Sequence, residues 1–212
     1  MKKNKGYLIT FEGGEGAGKT TEIVRLRNRL TKAGKDVVAV REPGGTVISE
    51  QIREVLLSTK NIGMAFTSEV LLFQAARAQI YREIVIPSLN AGKVVLMDRS
   101  RDSSVVYQGM VRGFGKELIE NLNDISTKKT YPNLTFLLDV PVEIGLGRRQ
   151  ATDKNDRLDL EAKDFHEKVR KSYLQVAKEN EGDRWVLIDA TKDIDAVDKE
   201  IWKIVKEKMK IK

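Results

Sequence analysis

The sequence predicts an α/β fold: a parallel, five-stranded sheet, doubly wound by helices. Three observations carry that prediction. Five short apolar runs are spaced along the chain, each is followed by a longer segment with helical character, and the first junction between them is crowded with glycine. Continuous apolar runs of this length suit strands buried on both faces. A half-solvated strand would alternate instead.

Taken in order, the first run is YLITF (7–11), followed by a helical stretch at 19–33. VVAV (37–40) comes next, with a helix over 46–59 in which Ile48, Ile52, Val55 and Leu56 recur at helical spacing while Arg53 and Glu54 lie largely off that stripe. A long helical pattern covers 67–90. VVLMD (94–98) is the third strand, and a helix follows at 116–129. TFLLDV (135–140) is the fourth, with a helix at 142–150. The segment 150–161, QATDKNDRLDLE, is polar and reads equally as a mobile flap or an ordinary solvated loop. A helix at 159–180, the strand WVLID (185–189) and a helix at 194–209 complete the pattern. No interdomain linker, repeat or low-complexity tract interrupts it, so the 212 residues are expected to form one domain.

Apolar residues make up 41% of the chain and charged residues 33%, the profile of a globular protein. The net charge of +7 favours anionic partners. The basic residues are spread along the chain rather than gathered in a stripe, and no nucleic-acid-binding motif accompanies them, so no nucleic-acid partner is expected. There is no cysteine, which removes disulfides and thiolate metal sites. The apolar run near the N-terminus is too short for a signal or membrane segment, so the expected location is the cytoplasm, with no membrane partner.

Gly13-x-x-x-x-Gly18-Lys19-Thr20 is a phosphate-binding loop, in its proper context between a strand and a helix. Glycine lets the backbone turn tightly and approach a phosphate chain, so that successive N–H groups and a helix N-terminus face the anion. The expected nucleotide-binding residues are Gly13, Gly14, Glu15, Gly16, Ala17, Gly18, Lys19, Thr20 and Thr21. Lys19 would reach the β- and γ-phosphates, and the Thr20 hydroxyl would bind Mg²⁺. The loop alone does not name a function, since GTPases, motors, DNA-handling ATPases and small-molecule kinases all carry one.

The third strand ends in Asp98-Arg99. Ligands of open α/β sheets sit at the carboxyl ends of the strands. There Asp98 would hold Mg²⁺ or its waters, and Arg99 a second phosphate. Phe73 and Arg77 are four apart on a predicted helix, where a stacking ring and an arginine would suit a nucleotide; a core ring and a rim arginine is the plainer alternative. Ser104, Tyr107 and Gln108, at i, i+3 and i+4, would place polar groups along one edge of a ligand. The single histidine, His166 in DFHEKVRKSY, reads as a surface residue.

These stretches together resemble thymidylate kinases of the bacterial type. FEGGEGAGKTT (11–21) is similar to that family's phosphate loop, REPGGT (41–46) to a signature turn, and DRSRDSSVVYQG, beginning at residue 98, to its aspartate–arginine and tyrosine–glutamine–glycine segment. YPNLTFLLDVP (131–141) and DRLDLE (156–161) resemble its later strand and lid. The resemblance spans residues 7–190 or so. It implies the nucleoside-monophosphate-kinase version of the P-loop fold with a short lid at about 148–161. It also implies ATP-dependent phosphorylation of dTMP to dTDP with Mg²⁺, usually in a homodimer. Residue by residue, it implies that Arg53, Arg77 and Arg99 surround the acceptor phosphate or its approach, that Phe73 stacks on thymine, and that Ser104 and Gln108 meet the base edge. Glu42 and Pro43 of the signature turn would line the acceptor site. Tyr107 would pack beside the sugar, and Tyr173 would be a further sugar contact. Glu15 would lie between the two nucleotides, near the sugar and Mg²⁺. A loop without a basic residue at positions 15–17 goes, in this family, with catalytic arginines in the lid. That points to Arg149 and Arg157, with Arg148 a weaker candidate. Two positions depart from the family pattern: Ser100 stands where an aromatic is usual and Val106 where alanine is common. Ser100 is expected to leave a gap or a wet patch beside the acceptor. A kinase of the same fold acting on dUMP or UMP is the nearest alternative, because a 5-methyl group contributes only about 1–3 kcal/mol in a pocket.

Overall fold

A computed structural model describes residues 6–151 and 156–211 of the chain. Its sheet has five strands: β1 (Tyr7–Glu12), β2 (Val37–Arg41), β3 (Val94–Asp98), β4 (Leu134–Asp139) and β5 (Trp185–Asp189). They lie in the order β2-β3-β1-β4-β5, every pair parallel. Alternate side chains serve opposite faces. Ile9 and Phe11 of β1, Leu96 of β3 and Phe136 of β4 join one apolar cluster, whereas Leu8, Val95 and Met97 join another. Only the three central strands are enclosed on both faces. β2 and β5 are edges, and Leu187 of β5 is half-exposed.

The first cluster lies under α1 (Lys19–Lys32) and α9 (Ile194–Met209), which supply Ile23, Leu26, Leu30, Val197, Ile201 and Val205. The opposite face carries α2 (Val47–Leu57) and α3 (Phe66–Ile80), with α3 running on through a π turn (Tyr81–Val85) into α4 (Ile86–Asn90). Pro87 lacks the N–H that a regular turn would use there and crowds the turn before it, which accounts for the widening. α5 (Arg101–Ser104) also continues as a π segment, Val105–Val111. The residues of this stretch, DSSVVYQG, have no helical period, and no helix was expected there. α6 (Lys116–Thr127), α7 (Val142–Gln150) and α8 (Lys163–Glu179) complete the set.

Two expectations change. α8 begins at Lys163 rather than near 159 because Asp156 and Asp159 capture nearby backbone N–H groups. Leu158 N donates to Asp156 Oδ1 at 2.9 Å and Asp156 N to Asp159 Oδ2 at 2.8 Å, holding a turn that competes with helix. On α2, only Leu56 of the apolar stripe is fully buried, while Ile48 and Val55 are each 47% exposed. Residues 152–155 of the expected lid lie outside the described residues.

Candidate active site

The carboxyl ends of β1, β2 and β3 and the loop after β5 border a cleft of about 640 Å³. Its lining falls into two groups. Gly16, Ala17, Gly18, Lys19, Thr20 and Thr21 lie with Arg148, Ala190, Lys192, Ile194 and Val197. Glu42, Pro43, Arg53, Phe73, Arg77, Ser104, Tyr107 and Gln108 form the other. Glu15, Asp98, Arg99, Arg149 and Asp156 are also in the wall.

The phosphate loop leaves β1 and enters α1 through Gly18, whose φ of 91° is left-handed backbone that glycine adopts freely. Lys19 Nζ folds over the loop, donating to the Gly14 carbonyl at 2.8 Å and the Gly13 carbonyl at 3.2 Å. The loop also rests directly on α7. A Cβ on Gly16 would lie 1.9 Å from the Gly145 carbonyl oxygen, and a Cβ on Gly145 would lie 2.3 Å from that of Glu15. Thr20 Oγ1 donates to Asp98 Oδ2 at 2.5 Å, so two of the three expected Mg²⁺ ligands stand side by side on the cleft wall, with the third, Glu15, also in it. Among the described residues no cluster of three or more acidic, histidine or cysteine side chains could cage a metal. Two oxygen donors, completed by phosphate and water, are the donor set Mg²⁺ takes in phosphoryl-transfer sites.

Arg99 has a φ of 64°, a costly conformation for a non-glycine residue, of the kind retained where the surroundings over-determine it. Its backbone N–H bonds the Phe11 carbonyl, Nη1 bonds the Gly13 carbonyl at 3.0 Å, and Nη2 meets Glu15 Oε1 at 2.5 Å. Burial alone would raise the Glu15 carboxyl. Arg99, with Lys19 and Arg149 behind it, outweighs that and holds it at about 2. Glu15 therefore remains charged at any working pH.

Behind Arg99 sits a second acid that the sequence reading did not single out. Glu12 is fully buried, accepting from Ser100 N at 2.9 Å, Ser103 Oγ at 2.6 Å and Tyr173 Oη at 2.8 Å. Burial, with the nearby charge of Asp102, pushes its carboxyl up to about 7 despite those bonds and Arg99. A folded-state value above the unfolded one favours the protonated fold. The stability so gained is complete below about pH 4.5 and gone above about pH 7, a swing of about 3 kcal/mol at roughly 1.4 kcal/mol per unit. Glu12→Gln keeps the Oε1 acceptor for Ser100 and turns an NH₂ towards hydroxyls that can accept. The variant is expected to match the unaltered chain near pH 5 and to exceed it in denaturant midpoint at pH 8. Equal midpoints at both pH values would refute this.

The sequence model of the thymidylate kinase family matches residues 11–201. The chain belongs to that family. It is 45% identical over 198 residues to a thymidylate kinase from Thermosipho melanesiensis, covering 93% of this chain and 96% of that one. A thymidylate kinase from Geotalea uraniireducens is 47% identical over 195 residues, with 89% and 91% covered. The fold superposes on the crystal structure of thymidylate kinase from Ehrlichia chaffeensis with a TM-score of 0.77 and 32% identity, covering 95% of this chain and 99% of that one.

Most of the residues expected from the family resemblance do line the cleft, but three sit differently. Arg157 does not border it. Its side chain is 4% exposed, with Nε on the Leu56 carbonyl at 3.0 Å and Nη2 on Glu69 Oε2 at 2.7 Å. Tyr173 does not border the cleft either: it is buried behind Arg99, its hydroxyl bonded to Glu12, Ser103 and Arg99 Nη1. Arg77 borders the cleft but is committed to protein acceptors: Glu42 at 2.7 Å, Ser104 Oγ at 2.9 Å, Asn123 Oδ1 at 2.8 Å and the Ser100 carbonyl at 3.0 Å. It holds the REPGG turn against α5 more than it offers an open clamp, and among the described residues one Nη2–H remains for a ligand. Arg53 borders the cleft with Nη1 on the Pro43 carbonyl at 2.7 Å.

Ser100 leaves no gap beside the acceptor side of the cleft: it is fully buried and its hydroxyl pairs with Tyr81 Oη at 2.8 Å, so a ring from the π turn after α3 fills the space. His166 is not on the surface. It is 5% exposed, edge-on to Phe165, because α8 turns this side to the sheet along with Val169 and Tyr173. Sequence reasoning also passed over Ser103, Lys192 and Ile194. Arg148, the weaker lid candidate, reaches the Ala190 carbonyl at 3.2 Å on the phosphate-loop side of the cleft. A polar tip after the last strand was the one available signal for that corner.

Proposed function

We infer that this protein is an ATP-dependent dTMP kinase, transferring the γ-phosphoryl group of ATP to the 5′-phosphate of dTMP to give ADP and dTDP in dTTP synthesis. One observation carries the reading: a single cleft joins the phosphate loop to a second wing containing Phe73, Arg77, Ser104, Tyr107 and Gln108. Family membership supports the same reaction. A location in the cytoplasm goes with it.

ATP lies along the loop with its base beside Arg148, Ala190 and Ile194, and dTMP lies in the opposite wing with its ring against Phe73. The acceptor is a phosphate oxygen, largely ionised at neutral pH, so no strong general base is needed. An oxygen of dTMP attacks the γ-phosphorus as the bond to the β-bridging oxygen breaks, and that oxygen leaves on ADP. The protein contributes alignment and charge. Lys19 follows the β- and γ-phosphates, Arg99 and Arg53 hold the acceptor phosphate, and Arg149 lies beside the migrating group. Glu15, pinned by Arg99, orients the sugar side of the acceptor. Thr20 and Asp98 would hold Mg²⁺, which would offset the negative charge of the phosphates. Release of ADP from ATP, Mg²⁺ and a panel of dTMP, dUMP, UMP and dCMP tests the reading. Turnover that stays at background on adding dTMP would reject it.

The chain works as a homodimer, and an uncovered apolar face supports this. Val47, Ile48 and Val55 of α2, Leu71 of α3, and Leu118 and Ile125 of α6 are exposed by 47% or more each on three adjoining helices. A patch of this kind on a globular protein marks an interface. Leu71→Glu, in the middle helix, is expected to run at monomer mass in light scattering where the unaltered chain runs at dimer mass. An unaltered chain at monomer mass would refute the dimer.

A further inference from the structure

We propose that Glu69 and Arg157 are positioning residues for the acceptor base. They fix the direction of the Gln108 amide, so that its carbonyl oxygen faces the cleft and accepts the imino N–H of a thymine- or uracil-type ring. This rests on the dTMP kinase reading and deepens it.

Gln108 is 2% exposed and borders the cleft. Its Nε2 donates to Glu69 Oε1 at 2.9 Å. Glu69, fully buried on the first turn of α3, offers only acceptor oxygens as a carboxylate, so its partner on Gln108 must be the NH₂ group. The other carboxylate oxygen takes Arg157 Nη2 at 2.7 Å, and Arg112 Nε stands 3.5 Å from Oε1. Arg157 cannot swing away freely. Its Nε holds the Leu56 carbonyl at 3.0 Å and its backbone N–H holds the Leu57 carbonyl at 3.0 Å. Among the described residues Gln108 Oε1 has no protein partner. It is the acceptor that amide leaves for a ligand, beside the second Nε2–H.

An acceptor there selects by proton position. N3 of thymine and uracil carries a hydrogen; N3 of cytosine presents a lone pair. Cytosine would set two acceptors against each other in a site with little water, and sites built on a specific hydrogen bond reject such mismatches strongly. Without Glu69 as carboxylate the amide is free to turn, and the selection weakens. Arg157 thereby acts on base recognition from the segment expected to serve the donor side.

Glu69→Gln preserves volume while letting residue 69 donate to Gln108 Oε1, which turns the NH₂ to the cleft. Steady-state rates with dTMP and dCMP are compared for the unaltered chain, Glu69→Gln and Arg157→Lys. The expected result for Glu69→Gln is a fall of about tenfold or more in the dTMP:dCMP ratio of kcat/KM, carried by a higher KM for dTMP, with kcat at saturation changed less than about threefold. Arg157→Lys moves the ratio in the same direction by less, and it decides the matter if Glu69→Gln does not fold. An unchanged ratio, or an Arg157→Lys that lowers kcat for both acceptors alike with KM for dTMP intact, would overturn the proposal. Calorimetric binding of dTMP and dCMP needs no turnover. An unaltered chain that binds dTMP without phosphorylating it would fail the dTMP kinase reading, and the same ratio, taken from Kd values, would still judge the amide.

Discussion

Arg149→Ala is expected to lower kcat for dTMP phosphorylation by about 10³-fold, with KM for dTMP changed by less than about tenfold. The reasoning begins in the phosphate loop. Between Gly14 and Gly18 it carries Glu15, Gly16 and Ala17, and so has no cation of its own to face the migrating phosphoryl group. Arg157 is tied to Glu69, and Arg148 leans on the Ala190 carbonyl. Arg149 is the arginine of 148–157 that both borders the cleft and acts electrostatically on Glu15. Its side chain is braced by Asp159, with Nη2 to Oδ2 at 2.8 Å and Nε to Oδ2 at 3.0 Å, and by Asp156 at 3.4 Å. A braced guanidinium loses little freedom when it meets a phosphate. Single-turnover measurements separate the chemical step from product release. A kcat within tenfold of the unaltered enzyme would remove Arg149 from the mechanism.

Arg99→Ala combines a catalytic with a structural loss. The kcat/KM for dTMP is expected to fall by about 10²–10³-fold, because the acceptor loses a phosphate ligand and Glu15 loses the group that orients it. Glu15 would then be a largely buried acid without its principal counter-charge, and its carboxyl would rise from about 2. The sign follows from that direction. A depressed carboxyl stabilises the fold above its unfolded value near 4.5, and this is lost as pH falls towards 2. The variant is therefore expected to be less stable at pH 7 by roughly 2–3 kcal/mol, with the gap closing between about pH 5 and about pH 2. Urea midpoints across that range check it. A constant gap would place the cost elsewhere, for example in release of the strained backbone at residue 99.

The sheet was legible because its central strands are uninterrupted apolar runs, and the phosphate loop because its spacing is dictated by an anion. The acid–arginine wiring was not. Glu69 and Arg157 are 88 positions apart, and each alone reads as a solvated charge on a turn or helix. Glu12 follows the apolar run that it helps to anchor, and nothing in its neighbours announces three donors converging on it. The stripe on α2 misled in the opposite sense: its helical period is real, but much of the face it marks points outward. The helical course of 101–111 was not foreseen because a π segment follows neither the period of a helix nor that of a strand.

The direct seating of the phosphate loop on α7 has a consequence for how such chains can change in length. Gly16 and Gly145 meet backbone to backbone, with no side chain between them to absorb an error. The path from that contact to Arg149 is one helical turn, so the spacing between Lys19 and the arginine is set by residues 145–149 as by a ruler. An extra residue between 145 and 149 would rotate the guanidinium by about 100° around the helix and point it out of the cleft. Extra residues after 150 would leave the ruler untouched. Insertions and deletions in the lid are therefore expected to accumulate past Gln150 and to stop short of it, whatever the lid's composition.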